Sequence, residues 1–483
     1  MQYKEFEIKK VAKAIWEIPR KGNMRVPVRF YALQSMLPQI IKDNALSQAV
    51  NVASLPGIQK YSMAMPDIHY GYGFPIGGVA AFDCETGIIS PGGVGYDINC
   101  GVRFCQTNLF YKDIKDKIQN IVNGFYDCVP SGVGSHDAIK RLNQNEEEQV
   151  MIKGTKWAIE QGYGEISDLD ATESFGRMKE ANPDKVSQRA RSRGLNQVGT
   201  LGSGNHFLEI GIIDEVYDQK LANEFSLEKD QVVVMVHSGS RGFGYQICDD
   251  YLHLMVRELN NLPFSIPDRQ LACTPFKSKL GSDYFQAMSC AANYAWANRQ
   301  VLMSLGEKSL RKTLSISKSD LGFKLIYDVC HNIAKVEKHK VNGNEMLLCV
   351  HRKGATRSFG PNQPELAKKY QRIGQPVIVP GDMGTNSYLM IGTNRAMKET
   401  FGSCCHGAGR VMSRREAKRR YNFNQVKNKL KSNGIVVYSA QRNTLVEECS
   451  DTYKDVNEVV EAVALAGLAK KIVRTRPLGV LKG

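Results

Sequence analysis

An acid and a thiol stand three positions apart, Asp97 and Cys100, in the run PGGVGYDINCGVR. Glycines around them let the backbone take positive φ and approach a bound group closely. A carboxylate oxygen and a sulfur converging in one loop predict a metal site. The same run also suits a glycine-rich turn holding a buried free cysteine. The histidines bear on the choice. Four of the nine stand at element edges beside glycine or asparagine: His206 in GSGNHFLE, His237 in VHSGSRGFG, His331 in DVCHN and His406 in CCHGAGR. With Asp97 and Cys100 they supply ligands for one or two divalent ions, and a thiolate can bridge two. Imidazole and thiolate point to zinc by softness, while the carboxylate leaves manganese open.

The elements that must position these groups follow from the flanking patterns. GGVAAFD before the Asp97 loop and VRFCQTNL after it predict strands, so the loop hangs on rigid β-structure. MPDIHYGYGFPIGG, from Met65, reads as a second glycine-rich loop carrying Asp67 and His69. NHFLEIGIID and QVVVMVHSGSRGFG read as strands with function at their ends. NEMLLCVHRKGATR and QPVIVPGDMGTNSYL read as strand then loop, and GIVVYSA as a further strand. A largely buried helix is predicted from Phe285 to Leu305, mostly helical structure over 110–195, and a short helix from Pro364 to Arg372 stopped by Gly374. VNEVVEAVALAGLAKKIVRTRPLG reads as an amphipathic helix followed by a short basic tail. No repeat, linker or domain boundary interrupts the chain. The expectation is one domain over 1–483 with a mixed α/β (α+β) fold: central β-structure, surrounding helices, and the site on strand-end loops. Strand order is not readable.

Composition narrows the function classes. The chain has 483 residues, 42% hydrophobic and 23% charged, with a formal net charge of +15. That excess favours polyanions, nucleic acid before membrane. The start, MQYKEFEIKK, has no apolar h-region, and no run approaches a membrane span. Twelve cysteines without a CxxC pair predict free thiols in a reducing cytoplasm and no zinc ribbon. GxxxxGK[ST], HExxH and GxSxG are absent. Nucleotide handling must then rely on other glycine loops, PGDMG, CCHGAGR and GSGNHF, whose N–H groups can cradle anions. The basic stretches VHRKGATR, GRVMSRREAKRR and SQRARSRG are candidates for phosphate, since arginine's fork holds it bidentately.

Taken in order, PDIHYGYGFPIGG, GGVGYDINCGVR, GSGNHFLE, VHSGSRGFG, CHN, HRKGATR, PGDMGTNSYL, CHGAGR and a lysine near the C-terminus resemble the RtcB family of GTP-dependent RNA-splicing ligases. The resemblance runs from about residue 25 to the end. It implies an enzyme joining an RNA 3′-phosphate or 2′,3′-cyclic phosphate to a 5′-hydroxyl, with two manganese ions and GTP. It implies Asp97, Cys100 and His206 as ligands of one ion and Cys100, His237 and His331 as those of the second, the thiolate bridging. His406 matches the histidine that attacks the α-phosphorus of GTP and carries GMP. A guanylate-binding set is implied at Asn205, His206, Phe207, Leu208 and Glu209, at His331 and Asn332, and at Pro380, Gly381, Asp382 and Met383 with Ser387. It continues at His406, Gly407, Ala408 and Gly409, with Lys482 against the guanine. Asp67 and Arg410 resemble neighbours that orient or assist the nucleophile. The implied partners are RNA, as broken or intron-excised tRNA ends, and the activating protein archease, for a cytoplasmic monomer. A dinuclear metal phosphohydrolase and a non-catalytic RNA-binding protein are the competing readings; His406 in CHGAGR speaks against the first. Cys404, beside Cys405, has no role in this scheme.

Overall fold

Runs such as VVVMV, apolar at every position, form strands where both faces are covered. A computed structural model describing residues 1–483 places them so. The larger sheet has eight strands: β1 (Gly101–Phe110), β2 (Phe207–Val216), β3 (Gln231–Ser238), β4 (Lys324–Cys330), β5 (Pro376–Val379), β6 (Ser387–Gly392), β7 (Val436–Ser439) and β8 (Ala469–Lys482). Their order is β4-β1-β3-β2-β8-β6-β5, antiparallel throughout, and β7 joins β8 in parallel.

Three helices bear on the site: α1 (Ile118–Cys128), α2 (Arg241–Glu258) and the 36-residue α3 (Lys279–Leu314). One sheet face, with Leu208, Ile210, Val234 and Val236, packs on Ile121 and Phe125 of α1 and Leu302 and Leu310 of α3. Each such side chain contributes about 1.5–3 kcal/mol by burial. The other face, with Phe104, Val233 and Met235, packs under Phe359, Tyr370, Leu430 and Leu445.

The second sheet has seven strands, ordered 332–341, 344–353, 76–83, 62–69, 28–31, 15–18 and 9–12. Asn342 and Gly343 turn its first hairpin with φ of 51° and 88°. Positive φ at both turn positions is why Asn-Gly is favoured there. His331 is the one residue between β4 and Asn332–Val341, so the chain crosses from one sheet to the other at a candidate ligand. A short ladder, Ala355–Arg357 with Ser403–Cys405, delivers His406 to the same junction.

The mixed helix-and-sheet architecture agrees with the sequence reading; several local expectations do not. The "basic tail" is β8, paired with β2 over most of its length. Asp67 and His69 lie at the end of the strand Ser62–His69, not in a loop. The expected Pro364–Arg372 helix is confined to Lys368–Gln371, and the buried helix extends beyond Phe285–Leu305 at both ends to form α3. No helix is long and apolar enough to cross a membrane.

Candidate active site

The Asp97–Cys100 loop is held from behind by α3. Arg299, fully buried, donates to the carbonyls of Asn99 at 2.7 Å and Ser238 at 3.0 Å, and to Asp328 at 2.8 Å. One guanidinium thus ties the residue before Cys100 to the residue after His237. Gly101 makes room for it: a Cβ there would lie 2.9 Å from the Arg299 guanidinium carbon and 2.1 Å from the Val329 carbonyl. Asn298, the neighbour on α3, accepts from the amides of Gly199 and Thr200 and donates to Gly239 O.

What converges on Cys100 is a set of side chains of metal-ligand type. Its sulfur lies 3.1 Å from His237 Nε2 and 3.5 Å from His206 Nε2, and His206 Nε2 lies 2.9 Å from Asp97 Oδ2. His206 Nδ1 is 3.0 Å from the Leu201 carbonyl. A carbonyl only accepts, so Nδ1 carries a proton and Nε2 is the nitrogen turned toward Asp97 and Cys100. His331 Nδ1 meets the Thr356 hydroxyl at 2.8 Å, and its Nε2 is buried with no partner. Burial pushes the Cys100 thiol well up, with Asp97 adding to it, and pushes His237 and His331 well down. A carboxylate, a thiol and imidazoles converging in a dry site, with one ring nitrogen unpartnered, fit a divalent cation, which would reverse the thiol's preference. Asp97, Cys100 and His206 form a compact triad, their ligand atoms within 4.8 Å of one another. His237 and His331 extend it, their ring centroids 5.6 Å apart.

His406 stands next in this row of rings, 5.4 Å from His331. Asp67 Oδ2 accepts from its ring Nδ1 at 2.5 Å, from its amide at 2.9 Å and from the Gly407 amide at 3.3 Å. Burial works to raise the Asp67 carboxyl, but the His406 imidazole and its hydrogen bonds, with Lys454, hold it below the usual carboxylate range. Nδ1 is therefore the protonated nitrogen and Nε2 the free one. Gly409 must be glycine: φ is +75° and a Cβ would sit 2.3 Å from Asp67 O.

Cys100, His237, His331 and His406 line one cavity of about 390 Å³. Asn205, Phe207, Asn332, Pro380, Gly381 and Asp382 line it too, as do Gly407, Ala408, Gly409, Arg410 and Lys482. Lys482 ends β8 opposite Phe207, its ammonium 5.7 Å from the ring centroid. Burial lowers that ammonium to about 8, against the pull of Glu448 and Asp382. Glu209, raised to about 8 by burial and by Asp382, keeps an unpartnered Oε1. Ser387 acts from behind, accepting the Gly381 amide at 3.1 Å. Five of the implied set do not line the cavity: His206, Glu209 and Ser387 stand behind its wall, Leu208 points into the α1/α3 core and Met383 into the opposite one. Asn332 spans the loops, donating to Asp97 O at 3.1 Å and accepting the Gly354 amide at 2.8 Å.

The chain matches the family model described as tRNA-splicing ligase RtcB over residues 48–483. The chain belongs to the RtcB family. A tRNA-splicing ligase RtcB of Archaeoglobus fulgidus is 49% identical over 478 residues, 99% of each chain. Those of Methanococcus maripaludis and Thermococcus kodakarensis are 49% and 48% identical, again over 99% of each chain.

Within this RtcB-family cavity the structure adds residues the sequence did not single out. Buried Glu448 accepts from Arg410 at 3.0 Å, from Arg414 at 2.8 Å and from Tyr453. It sits in VEEC, a helix end with no recognisable motif. Lys353 lies in HRKGATR, quoted above only as a basic stretch. Burial pushes its ammonium down to about 7, and it donates to the carbonyls of Phe74 at 3.1 Å and Gly92 at 3.0 Å. The arginines of that stretch are not free for phosphate: Arg352 pairs with buried Glu337, and Arg357 lies 3.6 Å from buried Glu173.

Proposed function

We propose that the chain is a GTP- and manganese-dependent RNA ligase that joins a 3′-phosphate or 2′,3′-cyclic phosphate end to a 5′-hydroxyl end through a His406–GMP intermediate. Family membership carries the enzyme class, RNA ligase, and the relatives' names carry tRNA splicing. The observation that supports the covalent step is the His406 ring, with Nδ1 pinned by Asp67 and Nε2 left free in the same cavity as Cys100.

Nε2 attacks the α-phosphorus of GTP, the α–β bridging bond breaks, and pyrophosphate leaves. Positive charge grows on the ring as the N–P bond forms, and the Asp67 carboxylate at Nδ1 stabilises it. An oxygen of the RNA 3′-phosphate then attacks the same phosphorus, the N–P bond electrons return to Nε2, and a 3′-pp-5′-G end results. The 5′-hydroxyl attacks the RNA phosphorus and GMP departs. A cyclic phosphate is first opened by water. Asp97, Cys100 and His206 would hold one manganese ion, and Cys100, His237 and His331 a second; bound there, they neutralise phosphate charge. Lys482 and Asp382, which line the cavity, would read the guanine edge with Glu209 behind them, and the net charge of +15 serves the RNA backbone, so binding weakens as salt rises. The chain acts as a monomer and a single domain, on tRNA exons or broken RNA, with archease as its activator.

The test is α-labelled GTP and manganese. Acid-labile label on the protein, and ligation of a 3′-phosphate RNA to a 5′-hydroxyl RNA only when both are present, are expected. Ligation without GTP, or absence of label, sinks the reading.

A further inference from the structure

The charged part of the cavity, around Lys482, Asp382 and Glu448, is accounted for by the nucleotide. Another part of the lining is aromatic and has no role in that scheme. Tyr96, next to Asp97, and Tyr72 both line the cavity. The Tyr96 ring stacks on Tyr245 of α2, centroids 4.8 Å apart and planes 25° from parallel. Tyr72 meets Tyr96 edge-on at 6.0 Å and 67°. Tyr245 is 47% exposed, so the stack reaches from beside a candidate metal ligand out to solvent. Arg193 caps it, its guanidinium 5.9 Å from the Tyr245 ring centroid. Its placement is built in: the Arg193 stem lies against the start of α2, where a Cβ on Gly242 would be 3.6 Å from it, and the Gly242 amide donates to Gln197 at 3.0 Å.

Tyr72 and Tyr96 also pack against the core beneath them, but a ring as exposed as Tyr245 contributes little to a core and is open to a flat ligand. Stacking on tyrosine beside arginine is how unpaired nucleobases are held without regard to sequence, because every base has a π-face. A ligase that joins many different ends needs such tolerance at the residue next to the reacting phosphate. We propose that Tyr96 and Tyr245, capped by Arg193, form a stacking site for the unpaired nucleobase adjoining the RNA end. The inference rests on the RNA-ligase reading and adds a subsite to it. Two ends offer the same chemistry, the 3′-phosphate strand and the 5′-hydroxyl strand.

Short RNAs carrying 2-aminopurine as the last base of the 3′-phosphate strand, or the first base of the 5′-hydroxyl strand, separate the two. Titrated into the full chain, one of the two is expected to lose fluorescence as its base stacks. Tyr245→Ala should remove that quenching and raise KM for the same strand about tenfold, leaving kcat and GMP labelling by GTP unchanged. Tyr245→Phe should restore both. An abasic nucleotide at that position should weaken the wild type by a similar factor and leave Tyr245→Ala unaffected. Unchanged fluorescence with both strands, or an unchanged KM in Tyr245→Ala, overturns the stacking site. Normal GMP labelling beside that result leaves the ligase reading standing; failure of labelling in the wild type is the separate failure of that reading.

Discussion

The Arg299–Asp328–Arg103 network and the Cys100 centre share the Asn99–Gly101 loop, and both are buried. In the network every donor meets an acceptor: Arg299 reaches Asp328, Asn99 and Ser238, and Arg103 reaches Asp328 at 3.0 Å. In the centre a carboxylate, a thiol and imidazoles crowd one another, and His331 Nε2 is left without a partner. Two buried histidines make the same contrast. His351 Nε2 accepts the Ser90 amide at 3.2 Å, while His331 Nε2 accepts nothing. Polar groups that complete one another are architecture; a buried one left without a partner points to something from outside the chain.

The contrast is broken most severely at His406. His406→Ala should abolish the covalent GMP label and cut ligation on the order of 10³-fold or more, while manganese still raises the melting temperature. A labelled variant protein would show that another residue carries the nucleotide. Next is the network itself. Arg299→Met leaves Asp328 with half its compensation and should cost about 3–5 kcal/mol in a guanidinium titration; a loss under about 1 kcal/mol would mean that the pairing is dispensable. Manganese at about a hundred times its dissociation constant should add about 2.7 kcal/mol to the wild type. Cys100→Ala should forfeit most of that gain and Cys404→Ala none, although both thiols are buried. Equal shifts in the two variants would remove the distinction between them.

The smallest effect sharpens the histidine pair. Burial lowers His351 to about 4, and the Ser90 amide needs Nε2 unprotonated. The unfolded chain takes up a proton below its ordinary value of about 6.5 and the folded chain does not. Stability is therefore full above that value and is lost as pH falls toward about 4. From pH 7.5 to 5 this amounts to about 2 kcal/mol. His351→Gln, which can still accept the amide, should remove that part of the acid slope; an identical slope would show that His351 already titrates in the fold.

Much of the site is legible in the sequence because its residues sit in glycine loops whose spacing is local. Asp97 and Cys100 needed only their own run, and His206 and His237 only theirs. What was hidden depends on pairing across the chain. The Asp67–His406 pairing, across 339 positions, came only from the family resemblance, and nothing in PDIHYGYG says that its first part is a strand; Pro66 and a break in register between Ala64 and His69 disguise it. β8 was hidden for a similar reason. Pro477 cannot donate to a ladder, and the strand accommodates it where the register with β2 shifts after Ile210. Two of its basic residues are paired instead of free, Arg474 with Asp214 at 2.9 Å and Lys471 with Glu461. Leu208 shows the reverse error. Adjacency to His206 and Glu209 suggested the site, but alternation along β2 turns its side chain to the helices.

The placing of β8 between β2 and β6 has a consequence for biosynthesis. A ribosome makes β2 more than two hundred codons before the strand that covers its free edge. Until Lys482 clears the exit tunnel, β2 is paired on one side alone and the cavity beside Cys100 lacks its lysine. Prematurely terminated chains would accordingly present an open sheet edge to quality control, while lacking the pocket wall needed to capture a nucleotide.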